Sequence, residues 1–156
     1  MKITIFKGQS IKEILNFIQE IINKTFYYSK FARSEEIKRF SPVLIRKELK
    51  DKNNLFLIAK DNDKTAGILN GYYEAGMFWI DWVVVNPSSR RNGIAESLMN
   101  YLEGKLKKEK VHKIWCDCRT INKESVSLLK KLKFKKITKI KNHWYKQDFY
   151  LWQKYL

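Results

Sequence analysis

Ile11, Ile14, Leu15, Ile18, Ile21, Ile22 and Phe26 recur every three or four positions, with polar residues between them. That spacing lays them along one stripe of a helix from residue 11 to about residue 26. Ser10 followed by Glu13 reads as a capping box at its start. Ile94, Leu98, Tyr101, Leu102 and Leu106 mark a second amphipathic helix, to about residue 110. Ser41-Pro42 suits the N-cap and first position of a short helix to about residue 50. Asn122 suits the cap of another, to about residue 132. Between them, β-branched and aromatic runs predict strands over 2–6, 55–60, 65–73, 77–85, 111–119, 134–141 and 145–155. Asn70-Gly71 competes as a turn, but Glu74-Ala75-Gly76 is the better break, so Asn70-Gly71 reads as a bulge. The order β, α, α, β, β, β, α, β, α, β, β describes an α/β (α+β) chain. It predicts a mixed sheet of about seven strands flanked by about four helices, in one domain over 1–156.

Composition narrows the class. With 44% hydrophobic and 14% aromatic residues, the chain is too apolar to remain disordered. It has no apolar run long enough to span a bilayer and no secretory leader, so a soluble cytoplasmic protein without membrane attachment is expected. Cys116 and Cys118 are too close for a disulfide framework and too few for a zinc site, so no metal is expected. Charge is the unusual quantity. Thirty-two basic and 16 acidic side chains give +16, and residues 105–156 contribute 16 and 4 of these. Such an excess fits an anionic partner, but 26 of the basic residues are Lys, and an AT-rich genome produces the same bias without function.

Candidate chemistry concentrates after the fourth strand, at Val83-Val84-Val85-Asn86-Pro87-Ser88-Ser89-Arg90-Arg91-Asn92-Gly93-Ile94-Ala95. A strand ends, a short turn follows, and a helix opens at a glycine. Free N–H groups and dipole at a helix N-terminus suit a pyrophosphate. Arg90-x-x-Gly93-x-Ala95 resembles the [Q/R]-x-x-G-x-[G/A] motif of the GNAT family of acetyl-CoA-dependent N-acetyltransferases. Asn122 through Ser125, followed by Leu132-Lys133-Phe134, resembles that family's second motif, and the element order matches over nearly the whole chain.

The resemblance implies acetyl-CoA as acetyl donor, with a sheet that splays between the fourth and fifth strands. It implies pantetheine beside Val83, Val84 and Val85, and pyrophosphate on the backbone of Arg91, Asn92, Gly93, Ile94, Ala95 and Glu96 with Arg90. It assigns Asn122 to the pantetheine arm. An alkylamine is protonated at neutral pH, so transfer needs a base. Asp81, in an apolar strand, and Asp117, five positions before Asn122, are the candidates. The family's tyrosine general acid falls on Leu129 and its usual glycine on Lys133, which leaves Tyr145 as a weak substitute acid. Tyr28, Phe31, Trp144 and Tyr145 are expected to wall an aromatic acceptor site. The acceptor is an amine of a peptide, a protein or a small molecule, with a ribosome-associated target among the possibilities. The alternative is a non-catalytic basic nucleic-acid-binding module. The sequence permits a monomer, or a homodimer paired through an exposed last strand.

Overall fold

A computed structural model describes residues 1–156. The chain runs β1 (Lys2–Ile5), α1 (Ile11–Lys24), α2 (Lys30–Arg39), α3 (Pro42–Lys50), β2 (Asn54–Asp61), β3 (Lys64–Glu74) and β4 (Met77–Val85). It continues through α4 (Ile94–Lys108), β5 (Lys113–Arg119), α5 (Lys123–Lys131), β6 (Lys135–Ile140) and β7 (Phe149–Tyr155). The seven strands form one sheet in the order β1-β2-β3-β4-β5-β7-β6. Every neighbouring pair is antiparallel except β4 and β5. No helix is long and apolar enough to cross a membrane.

The sheet separates two cores. On one face, Leu98, Leu102 and Leu106 of α4 and Leu129 of α5 pack on Leu57, Leu69, Phe78, Ile80 and Trp152. On the other, Ile14, Ile18 and Ile22 of α1 meet Phe40, Ile45, Phe56, Ile58 and Ile68. Period-two alternation along β2 feeds both: Leu55, Leu57 and Ala59 to the first, Phe56 and Ile58 to the second.

The expected bulge is present. Asn70 pairs with Trp82 and Gly71 with Ile80, so Asp81 is the extra residue. It reverses the phase of β4: Phe78 and Ile80 face the α4 core, whereas Trp82 and Val84 face the α1 core. Gly71 is required here by close approach. A Cβ at this position would stand 2.1 Å from the Trp79 carbonyl oxygen and 2.6 Å from the Phe78 ring. Backbone cannot retreat as a side chain can. Gly71→Ala is therefore expected to destabilise the fold by about 3 kcal/mol or more, read as a lowered midpoint in chemical denaturation.

Four expectations need correction. There are five helices, because the polar segment 30–39 is helical, with Ser29 accepting from the Ala32 N–H as its cap. The Ser10 capping box does not form. Ser10 is left-handed (φ 58°) and its side chain caps nothing, while Glu13 accepts from Thr65 Oγ1 at 2.6 Å. Residues 144–146 form a single tight turn instead of beginning the last strand, with Tyr145 at φ 56°. Finally, β7 is not an edge. It lies between β5 and β6, so β6 holds the exposed edge.

Candidate active site

The β4–β5 ladder covers Met77–Ile80 against Lys113–Cys116 and then stops. Beyond it the strands separate, and Asp81–Val85 has no partner on that side. This is the expected splay. A cleft of about 800 Å³ opens there, with Asp81 and Val83 on one wall, and Asp117 and Arg119 on the other. Tyr27, Tyr28, Glu36 and Arg39 close it from the α1–α2 side, Asn122 and Leu129 from α5, and Trp144 and Tyr145 from the β6–β7 loop.

The two candidate carboxylates differ in environment. Asp81 is ion-paired with Arg39 of α2 and accepts from Asn70 Nδ2 at 3.0 Å. Asp117 accepts from Trp144 Nε1 at 2.9 Å, with His143 Nε2 3.6 Å away. Burial pushes the Asp117 carboxyl above its ordinary value; the Trp144 hydrogen bond, His143 and Arg119 offset part of that rise. Tyr145 donates to Glu36 at 3.1 Å, and its hydroxyl is pushed up to about 12, first by burial and then by that carboxylate. Leu129 is buried in the α4 core, so no hydroxyl stands where the family motif often has one.

Arg119 lies beneath an aromatic roof. Its guanidinium carbon is 4.3 Å from the Tyr28 ring centre, 5.1 Å from Phe149, 5.4 Å from Tyr27 and 5.8 Å from Tyr145. Its Nε donates to Gln147 at 2.7 Å. Burial raises the Tyr27 hydroxyl to about 12; that hydroxyl accepts from Asn122 Nδ2 at 3.0 Å. Asn122 Oδ1 meanwhile caps α5 at the Ser125 N–H, 3.1 Å away. The expected cap and one cleft contact thus fall on one residue. Cys116 and Cys118 face the α4 core. Burial drives the Cys116 thiol far up and that of Cys118 to about 11.

The loop after β4 leads into the N-terminus of α4. Gly93 is the N-cap of α4 at φ 74°, and nothing lies within 4 Å of where its Cβ would be. Arg91, also left-handed (φ 65°), precedes it, and Arg90 is 3.6 Å from Glu124 of α5. Asn92 is exposed and Ile94 buried, while Glu96 is tied to Lys131 at 2.6 Å, so its side chain serves α5. Of the three valines, Val83 lines the cleft and Val84 packs in the α1 core. Val85 packs partly buried against the α4 core. Phe31, expected to wall the acceptor site, does not line the cleft: it is exposed and meets only the outer edge of the roof, edge-on to Tyr145 at 6.0 Å. Lys133 adopts φ 63°, the left-handed geometry that a glycine takes more easily.

Sequence reasoning missed Glu36 and Arg39, because both ride on the unexpected helix. Arg119 does carry a sequence signal, a cation ending an apolar strand, but that signal points no further than a partner for Asp117.

A mixed sheet splayed at one parallel pair, with a glycine-started helix beside the gap, defines an acyl-CoA-dependent transferase fold. Residues 15–134 match the Acetyltransferase (GNAT) family, and the chain belongs to it. The fold is that of the PaiA N-acetyltransferase from Thermoplasma acidophilum, solved in complex with coenzyme A (TM-score 0.84, 18% identity, 100% of both chains covered). The Escherichia coli ribosomal-protein-S18-alanine N-acetyltransferase is also similar (0.76, 15%, covering 99% of this chain and 92% of that one). So is the ribosomal-protein-alanine N-acetyltransferase of Brucella melitensis (0.79, 17%, 100% of both). No curated protein matches the chain in sequence.

Proposed function

We propose that this acetyltransferase moves the acetyl group of acetyl-CoA onto a primary amine by direct attack in a ternary complex, with Asp117 as general base. The observation that carries this is the run of β4 from Asp81 to Val85, which has no partner on its β5 side and opens to a cleft that also holds Asp117. Acetyl-CoA is the substrate that supplies the thioester. Val83 and its neighbours offer free backbone N–H and C=O groups to an extended pantetheine arm. The Arg91–Glu96 backbone and Arg90 offer N–H groups and charge to the pyrophosphate. Lys131 is tied to Glu96, while neither Lys130 nor Lys133 has a carboxylate partner, so both are left for a further phosphate.

Asp117 suits the base better than Asp81. Asp81 is paired with the Arg39 guanidinium at Oδ2, where Asn70 also donates, whereas the hydrogen-bond donor on Asp117 is the neutral Trp144 N–H, with His143 3.6 Å from the same oxygen. A carboxyl raised by burial is nearer in proton affinity to the ammonium it must deprotonate. In the transfer the amine nitrogen bonds the acetyl carbon as the carbon–sulfur bond breaks. The ammonium loses one proton through Asp117 to water before attack; the adduct nitrogen gives its second to Asp117, and the thiolate leaves to be protonated by water. Reduced thiols and a demand for acetyl-CoA fit the cytoplasm.

Direct transfer rather than relay through cysteine follows from the thiols. A thiol held near 11 is almost wholly protonated at neutral pH and is no nucleophile. Initial rates against both substrates are expected to give intersecting double-reciprocal lines. Cys118→Ala is expected to keep kcat within about threefold. Parallel lines, with activity lost in that variant, would overturn the direct route.

A further inference from the structure

Two buried charged side chains in the cleft each have an atom with no hydrogen-bond partner. Glu36 is 5% exposed and Arg119 9%, and both line the cleft. Glu36 Oε1 accepts from Tyr145, but its Oε2 is buried and accepts no hydrogen bond; it has only a long ion pair with Arg39 Nη1, at 3.7 Å. Arg119 Nε is satisfied by Gln147, but its Nη2 is buried and donates to nothing. A buried charged atom left unpaired costs more than a lost neutral hydrogen bond. Such atoms persist where something else is meant to meet them.

The two orphans have opposite needs and sit on either side of one residue. The Tyr145 hydroxyl is bonded to Glu36, and its ring lies over the Arg119 guanidinium. Tyr145 and Lys146 are both left-handed (φ 56° and 58°), a conformation that stores strain in residues with a Cβ. This turn is therefore the piece of the roof that yields most easily. With Tyr145 turned aside, one cleft offers an acceptor, Glu36 Oε2, and a donor, Arg119 Nη2.

We propose that Glu36 and Arg119 form a subsite for an amide group next to the reacting amine, its N–H donating to Glu36 and its carbonyl accepting from Arg119. The preferred acceptor is then an α-amino amide, as at the N-terminus of a peptide, rather than a plain alkylamine. Both residues are positioning residues, since neither touches the reacting atoms. This rests on the acetyltransferase reading above and adds the acceptor class to it.

The test compares L-alaninamide, L-alanine and n-propylamine as acceptors for the wild-type chain, by release of the CoA thiol. Thermal stabilisation by CoA alone is followed separately. L-Alaninamide is expected to exceed n-propylamine in kcat/KM by about 10- to 100-fold, the range of one or two hydrogen bonds to charged groups. L-Alanine has the carbonyl oxygens but no amide N–H, and its carboxylate is repelled by Glu36, so it is expected to fall below L-alaninamide. Arg119→Lys keeps the charge but loses the fork. It is expected to raise KM for L-alaninamide about tenfold while leaving n-propylamine within threefold. Equal use of L-alaninamide and n-propylamine by the wild type would overturn the subsite. So would preference for L-alanine, an equal fall for both amines in the variant, or turnover of none of them by a chain that binds CoA. A chain that CoA does not stabilise would instead overturn the transferase reading itself.

Discussion

Gly93→Glu is expected to abolish the stabilisation that acetyl-CoA confers on the folded chain. For the wild type, ligand at ~100 times its dissociation constant adds about 2.7 kcal/mol to stability. In the variant, at the same concentration, no shift in the thermal midpoint is expected. Two effects act at once. The backbone at residue 93 is left-handed (φ 74°), so any side chain adds about 1 kcal/mol of strain. The new carboxylate also stands at the N-terminus of α4, where the pyrophosphate is to bind, and meets it with like charge. Space is not the obstacle, since no atom lies within 4 Å of the added Cβ; the variant should fold and simply fail to hold the ligand. A variant stabilised by acetyl-CoA as strongly as the wild type would place the cofactor elsewhere.

Asp117→Asn is expected to lower kcat by about 10²- to 10⁴-fold, the usual contribution of a positioned base. The same change should not weaken the fold. Burial raises the Asp117 carboxyl in the native state above its value in the unfolded chain. The native state therefore favours the protonated form. That preference stabilises the fold fully below the unfolded value, near pH 3.9, and is lost as pH rises through the native value. At pH 7 the ionised carboxylate works against folding, and a neutral amide does not. The substituted side chain keeps an amide oxygen to accept from the Trp144 N–H. The variant's thermal midpoint should thus equal or exceed that of the wild type at pH 7, with the gap closing on acidification. The wild-type rate should fall as pH drops through the native value, which burial holds above the ordinary one. A destabilised variant with unchanged kcat would make Asp117 structural and return the role of base to Asp81.

Those two residues were legible in the sequence for different reasons. Gly93 stands in a local pattern of strand, turn and helix, and local pattern is what a sequence displays. Asp117 was visible through the family pattern, five positions before Asn122. The bulge at Asn70-Gly71 was legible too, though not its effect of making Asp81 the extra residue in β4. The helix α2 was not. Of its ten residues Ala32 and Glu36 are buried, so no apolar stripe marks it; Ser29 was its single local signal. The Ser10 pattern failed because a distant hydroxyl, that of Thr65, takes the Glu13 carboxylate the cap required. The links that shape the acceptor side are also distant. Arg39 reaches Asp81, Tyr145 reaches Glu36, and Asn122 reaches Tyr27 across 95 positions. No periodicity encodes contacts of that range.

The insertion of β7 between β5 and β6 makes it a keystone. Strand β6 has no other partner in the sheet, so if β7 peels away from β5, β6 goes with it. The loop carrying His143, Trp144 and Tyr145 joins the two strands and must leave as well. In amide hydrogen exchange these residues should open as one cooperative unit, while β1 to β4 stay protected. Opening of that unit strips Asp117 of Trp144 and His143 and uncovers Arg119 in a single event. Breathing of the C-terminal hairpin and assembly of the proposed acceptor pocket are therefore one equilibrium. An amine that binds the pocket should slow exchange along the whole length of β6, a strand it never touches.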